Sequence, residues 1–206
     1  MSHGVVPTRV ARGTRLGLAP IARGAARVGI SANVVTLVGG GLTIIGAGLL
    51  AAGLPLAALV ALLVGTLADT LDGQIAKAAG GGTAFGAFLD STIDRLSDSA
   101  LFVGTALLAV TIAQPPLLWL ALIALVTSFL VPYVRAKAEA LGVGATVGPA
   151  PREARIAIFL LGLAAWALFG LFLAFVTAVL VVALLATVTF VVRVVHVGRQ
   201  LSIKGR

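Results

Sequence analysis

The chain has 206 residues, of which 60% are hydrophobic and only 11% are charged, with a net charge of +8 and no cysteine. Soluble domains have roughly 45–50% apolar and about 25% charged residues, so the composition excludes an ordinary soluble domain and indicates a single-domain integral membrane protein. Without cysteine there are no disulfides or thiolate metal sites. The few aromatic residues also argue against nucleic acid, which leaves anionic lipid headgroups as the expected partner of the positive charge.

The first 30 residues contain spread arginines and no continuous apolar stretch. At about 100° per residue, the arginines fall on one helix face and apolar side chains on the opposite one. The basic face consists of Arg9, Arg12, Arg15, Arg23 and Arg27. The apolar face consists of Val10, Leu18, Ile21, Ala25 and Val28. This pattern predicts an amphipathic helix on the membrane surface, kinked or broken at Pro20. A disordered basic tail is the alternative.

Three later stretches carry no charged residue, and each is 36 to 41 residues long: Val28–Ala68, Ser99–Val134 and Ile156–Val192. A transmembrane helix needs about 20 residues, so each stretch is long enough for two helices. Glycine or proline turn signals near the middle of each stretch, at 53–55, 114–116 and 169–170, support this division. The predicted fold is therefore an all-α membrane protein with six transmembrane helices over residues 31–200, followed by a basic tail at 201–206.

This topology places every charged side chain at one side of the membrane or in the helix ends that face it. Lysine and arginine in short loops mark the cytoplasmic side. Both termini and the acidic residues are therefore expected at the cytoplasmic face of a bacterial cell membrane.

Five of the seven acidic residues lie within residues 67–98. Asp69 and Asp72 are three residues apart, and Asp90 and Asp94 four apart, so each pair shares a helix face. Small residues continue both faces at intervals of four, namely Ala57, Ala61, Gly65 and Gly73 on the second helix and Gly82 and Gly86 on the third. Small residues allow membrane helices to approach closely. We therefore expect the two acidic faces to converge across a tight turn, with Thr83 as the N-cap of the following helix.

Four carboxylates in one membrane cleft would be costly, at about 2.5–3.5 kcal/mol each at mid-bilayer. They would also repel one another unless they were protonated or neutralised. Two divalent cations would supply the required charge, and carboxylate ligation suits Mg²⁺ or Mn²⁺. Two such ions about 4 Å apart commonly clamp a phosphoryl group during transfer. The alternatives are an ion or proton pathway, and structural pairing of the acids with Arg95 and Lys77.

The acidic stretch also matches an extended motif. It reads Asp-x-x-Asp-Gly-x-x-Ala-Lys over residues 69–77, and Gly-x-x-x-Asp-x-x-x-Asp over residues 86–94. This resembles the CDP-alcohol phosphotransferase family, whose signature has an arginine at the position of Lys77. The resemblance covers nearly the whole chain and is strongest to actinobacterial members that transfer a phosphatidyl group to inositol 1-phosphate.

The resemblance implies a six-helix homodimer whose catalytic cleft opens to the cytoplasm and binds CDP-diacylglycerol with two Mg²⁺ or Mn²⁺ ions. It implies that Asp69, Asp72, Asp90 and Asp94 bind the metals and that Asp94 is the general base. It further implies donor binding by Gly73, Ala76, Lys77, Gly86, Asn33 and Thr36.

Basic residues near the ends of the later helices bear on the acceptor. Antiparallel helices would bring five of them to the same membrane face as the aspartates: Arg135, Lys137, Arg152, Arg155 and Arg193. Arginine binds phosphate well because its guanidinium can donate two parallel hydrogen bonds. These residues therefore predict an acceptor with its own phosphate, either inositol 1-phosphate or glycerol 3-phosphate. Simple membrane anchoring by these residues is the alternative.

Overall fold

The computed structural model describes residues 20–204, and the regular elements in this part of the chain are all α-helices. Residues 20–27 form α1, which is followed by α2 (Ala32–Ala51), α3 (Pro55–Ala78), α4 (Ala84–Thr111), α5 (Pro115–Ala140), α6 (Arg152–Phe169) and α7 (Phe172–Lys204). The predicted all-α class is confirmed, and each of the three turn signals separates two helices.

The helix boundaries have local causes. Pro55 and Pro115 occupy the first positions of α3 and α5. Proline is well suited there because its fixed φ is helical and the N–H that it lacks would have no helical partner. Gly53 and Gly170 adopt left-handed φ angles of 74° and 72°, which glycine tolerates without strain.

Within residues 20–204, four helices are long and apolar enough to cross a membrane: α2, α3, α5 and α7. Many of their large apolar side chains face outward, as membrane lipids require; Leu173, for example, is 76% exposed. Helix α4 contains four charged residues, Asp90, Asp94, Arg95 and Asp98. The first turn of α6 contains three, Arg152, Glu153 and Arg155. These two helices therefore carry more charge than an ordinary span, and the expected six crossings stay a prediction.

The amphipathic helix predicted for the N-terminus lies mostly outside the described residues, including Arg9, Arg12, Arg15, Val10 and Leu18. Within α1, Arg23, Arg27 and Ile21 are exposed and Ala22 is buried. Placement of this segment on a membrane surface stays a prediction.

The described chain divides into two compact units, with the boundary between Leu108 and Ala109 in the last turn of α4. In the first unit α2 packs along α3, and in the second α7 packs against both α5 and α6. The second unit is held by a buried edge-to-face pair, Phe159 and Phe175, whose ring centroids are 5.4 Å apart. The single domain expected over residues 1–206 stays a prediction.

Candidate active site

Two adjacent glycines of α2 allow both acidic helices to approach it. A Cβ on Gly39 would lie 3.0 Å from the Cβ of Ala68 and 3.5 Å from the backbone nitrogen of Asp69 on α3. A Cβ on Gly40 would collide with the side chain of Ile93 on α4. Helix α2 therefore contacts α3 beside Asp69 and α4 beside Asp94, at points where any larger side chain would separate them.

Three of the predicted aspartates come together in this unit. Asp69, Asp90 and Asp94 each offer a carboxylate oxygen, and these oxygens lie within 4.8 Å of one another. All three side chains are partly buried. A group of carboxylate oxygens at this spacing fits the ligand preference of Mg²⁺ or Mn²⁺.

Asp72 lies deeper than the other three. It is 4% exposed, and the hydroxyl of Thr36, itself 7% exposed, donates a hydrogen bond of 2.6 Å to its Oδ2. The charges of Asp69 and Asp90 act on this carboxylate. Thr36, which was expected to bind the donor, therefore contacts an aspartate of the motif. Donor binding by Thr36 and metal binding by Asp72 stay predictions.

The contacts of Arg95 bear on whether Asp94 is only a structural partner. Nη1 of Arg95 is 3.8 Å from Oδ2 of Asp94, and it also donates a hydrogen bond to the carbonyl oxygen of Ser91. A separation of 3.8 Å exceeds the length of a hydrogen bond. The pairing of Asp94 with Arg95 that the sequence allowed is therefore present as a long ion pair.

The start of α4 has the predicted cap. The backbone N–H of Gly86 donates a hydrogen bond of 2.9 Å to the hydroxyl of Thr83, which confirms Thr83 as the N-cap. A Cβ on Gly86 would lie 3.1 Å from Oδ1 of Asn33, so these two predicted donor-binding residues are neighbours.

The remaining donor-binding candidates lie on the last turns of α3. Gly73 is exposed, and a Cβ built on it would meet nothing within 4 Å. Ala76 is partly buried, whereas Lys77 is exposed. The surface above Gly73 therefore has room for a ligand.

The basic candidates lie in the second unit. Two of them donate hydrogen bonds to backbone carbonyls of the segment between α5 and α6. Arg155 is 4% exposed and donates to the carbonyl of Ala150 at 2.9 Å. Arg193 is partly buried and donates to the carbonyls of Val147 and Val131 at 2.9 and 2.8 Å. The sequence did not reveal these contacts, because nothing in a residue pattern shows which distant carbonyl a guanidinium will reach.

The other basic candidates differ in exposure. Arg135 is exposed and pairs with Glu139 one turn later at 2.8 Å, Lys137 is exposed, and Arg152 is partly buried. The charges of Arg135, Arg155 and Glu139 all act on the guanidinium of Arg193. These four charged groups therefore lie near one another in the second unit.

The helical fold and the acidic group match a known class of protein. The chain belongs to the CDP-alcohol phosphatidyltransferase family, whose model matches residues 30–193. It is 44% identical over 150 residues to a phosphatidylinositol phosphate synthase of Mycobacterium tuberculosis, a match that covers 69% of this chain and 67% of that protein.

Two crystal structures of the M. tuberculosis phosphatidylinositol phosphate synthase have the same fold at 36% identity. The structure with CDP-DAG bound gives a TM-score of 0.81 and covers 87% of this chain and 92% of that one. The structure in complex with manganese and citrate gives a TM-score of 0.80, with coverages of 87% and 88%.

Proposed function

We propose that this chain transfers the phosphatidyl group of CDP-diacylglycerol to the hydroxyl of inositol 1-phosphate and releases CMP. The observation that carries this proposal is the group of carboxylate oxygens from Asp69, Asp90 and Asp94 within 4.8 Å of one another, inside the family signature. The name of the mycobacterial relative and the CDP-DAG bound to it support both substrates.

The metal site would consist of Asp69, Asp90 and Asp94 together with the neighbouring Asp72. When bound, two Mg²⁺ or Mn²⁺ ions would offset the charge of these carboxylates and of the donor diphosphate. The manganese in the solved relative supports this choice of metal.

Asp94 would accept the proton of the acceptor hydroxyl. The hydroxyl oxygen then bonds to the β-phosphorus that carries the lipid, the bond from that phosphorus to the bridging oxygen breaks, and CMP leaves with that oxygen. Positioning and charge neutralisation supply most of the catalysis in such transfers. The chain would contribute the open surface at Gly73 and Ala76 and the positive charge of Lys77. Asn33 and Gly86 would flank the nucleotide.

The phosphate of the acceptor would bind to the basic residues of the second unit. Arg135, Lys137, Arg152, Arg155 and Arg193 are the candidates, and the five positive charges that they bring to the second unit support an anion there. Because glycerol 3-phosphate carries the same group, this chemistry alone does not choose between the two acceptors. The mycobacterial relative favours inositol 1-phosphate.

In a bacterial cell membrane we place six helices across the bilayer, with both termini and the acidic residues at the cytoplasmic face and α1 on its surface. The charges of α4 end at Asp98 and those of α6 lie in its first turn, so the rest of each helix carries no charge. A homodimer, as the family resemblance implies, completes this proposal.

The purified protein is expected to release CMP from CDP-diacylglycerol when inositol 1-phosphate and Mg²⁺ are present. EDTA should stop the release, and added Mg²⁺ or Mn²⁺ should restore it. CMP release with glycerol 3-phosphate but not with inositol 1-phosphate would identify glycerol 3-phosphate as the acceptor. Metal-dependent ion flux into liposomes, with no CMP release from any phosphorylated polyol, would instead support the ion-carrier alternative.

Replacing Arg152 with glutamine is expected to raise the KM for inositol 1-phosphate about 10- to 100-fold, because a hydrogen bond to a charged group is worth roughly 1.5–3 kcal/mol. The KM for CDP-diacylglycerol should change little. Arg199→Gln is the matched control, since it removes the same charge from an exposed position of α7. Equal effects of both variants on the acceptor KM would contradict a phosphate site at Arg152.

A further inference from the structure

We propose that Thr36 is a positioning residue, which holds the carboxylate of Asp72 in the orientation that the metal site requires. Its hydroxyl lies 2.6 Å from Oδ2 of Asp72 and 3.1 Å from the carbonyl oxygen of Ala32, and it donates its single proton to the nearer atom, Oδ2. Both side chains are almost fully buried. The bond joins α2 to α3. This inference rests on the proposed function, in which Asp72 is a metal ligand.

The geometry gives the hydroxyl a specific task. A carboxylate can rotate about its bond to Cβ, and a ligand that rotates must lose that freedom when a metal binds. Thr36 donates its hydrogen bond to Oδ2 of Asp72 and makes none to Oδ1. The carboxylate is therefore oriented before any ion arrives. Partners that orient metal ligands in this way typically change metal affinity by about 10- to 100-fold.

The surroundings of Thr36 explain why a hydroxyl is needed. It lies in the apolar sequence Val34-Val35-Thr36-Leu37-Val38, where its four neighbours are valine or leucine. Burial of a polar group without a hydrogen bond is costly. A valine at this position would leave Oδ2 of Asp72 without its 2.6 Å donor.

The same helix offers a matched control. Thr43 lies seven residues after Thr36, two turns away on the same face of α2. Its hydroxyl donates to the carbonyl of Gly39 in its own helix at 3.0 Å. Thr43→Val therefore makes the same chemical change on the same face without touching an aspartate.

The test is Mn²⁺ binding to the purified protein in detergent, without substrates, followed by electron paramagnetic resonance. Thr36→Val should bind Mn²⁺ about 10- to 100-fold more weakly than wild type. Thr36→Ser, which keeps the hydroxyl, and Thr43→Val should remain within a few-fold of wild type. The affinity for CMP in the absence of metal should be unchanged in Thr36→Val, which separates positioning from direct nucleotide contact.

Wild-type Mn²⁺ affinity in Thr36→Val would overturn the inference, and so would a loss of affinity of the same size in Thr43→Val. Thr36→Ala replaces Thr36→Val should the latter fail to fold, with the melting temperature of each variant measured alongside. If the wild-type protein itself binds no Mn²⁺, the metal site of the proposed function fails, and this inference falls with it. If the wild-type protein binds Mn²⁺ and Thr36→Val binds it with the same affinity, the metal site stands and only the positioning role of Thr36 is lost.

Discussion

Asp94→Asn is expected to abolish turnover while donor binding is largely retained. Asparagine has the shape of aspartate but cannot accept the proton of the acceptor hydroxyl, and general-base catalysis contributes about 10²- to 10⁴-fold. A loss of at least about 100-fold in CMP release should therefore appear with CDP-diacylglycerol and inositol 1-phosphate. Binding of CDP-diacylglycerol, measured separately by titration, should change much less.

Asp98→Asn is the control for this variant. Asp98 lies one turn after Asp94 on α4 and is also partly buried, but it is not one of the three aspartates whose oxygens converge. It should keep turnover within a few-fold of wild type. An active Asp94→Asn enzyme would remove the proposed base, whereas equal losses in the two variants would indicate a general effect of charge on α4.

Gly40→Val is expected to disrupt the acidic site without altering any acidic residue. Even a Cβ at position 40 would collide with the side chain of Ile93, the neighbour of Asp94. Because Ile93 is branched at Cβ, it cannot simply swing away, so α4 must shift from α2. Overpacking of this kind costs about 1–3 kcal/mol. We expect Mn²⁺ affinity and CMP release both to fall at least about 10-fold.

The adjacent glycine provides the control. A Cβ on Gly41 would meet nothing within 4 Å, so Gly41→Val adds the same side chain to the same helix without a collision. Both variants share the intrinsic helix propensity of valine, which therefore cancels in the comparison. Wild-type activity in Gly40→Val, or equal losses in both variants, would show that close contact between α2 and α4 does not set the spacing of the aspartates.

The features that the sequence predicted correctly arise from local physical chemistry. Proline at 55 and 115 and glycine at 53 and 170 set helix ends because their backbone preferences act within one turn. Thr83 was recognisable as an N-cap because its partner, the N–H of Gly86, is only three residues away. The shared faces of Asp69 with Asp72 and of Asp90 with Asp94 follow from helical periodicity alone.

Which helix brings the aspartates together was a matter of packing. The sequence attributed their convergence to small-residue stripes on α3 and α4. Gly65 of the α3 stripe does pack closely, but against α2, where a Cβ on it would lie 3.0 Å from the carbonyl oxygen of Gly39, and Gly40 of α2 packs against Ile93 of α4. Periodicity shows which face of a helix is small, but not which other helix will occupy it.

The sequence by itself determined the helical class, the helix ends and the acidic motif, since each depends on residues within a few positions of one another. Only the tertiary structure decided that Thr36 bonds to Asp72 and that Arg155 and Arg193 hold the backbone between α5 and α6. The Thr36 and Arg193 bonds join residues 36 or more positions apart, and the partner of Arg155 lies outside its own helix. A side chain selects such partners only after the helices have packed, because burial then removes water as the competing partner.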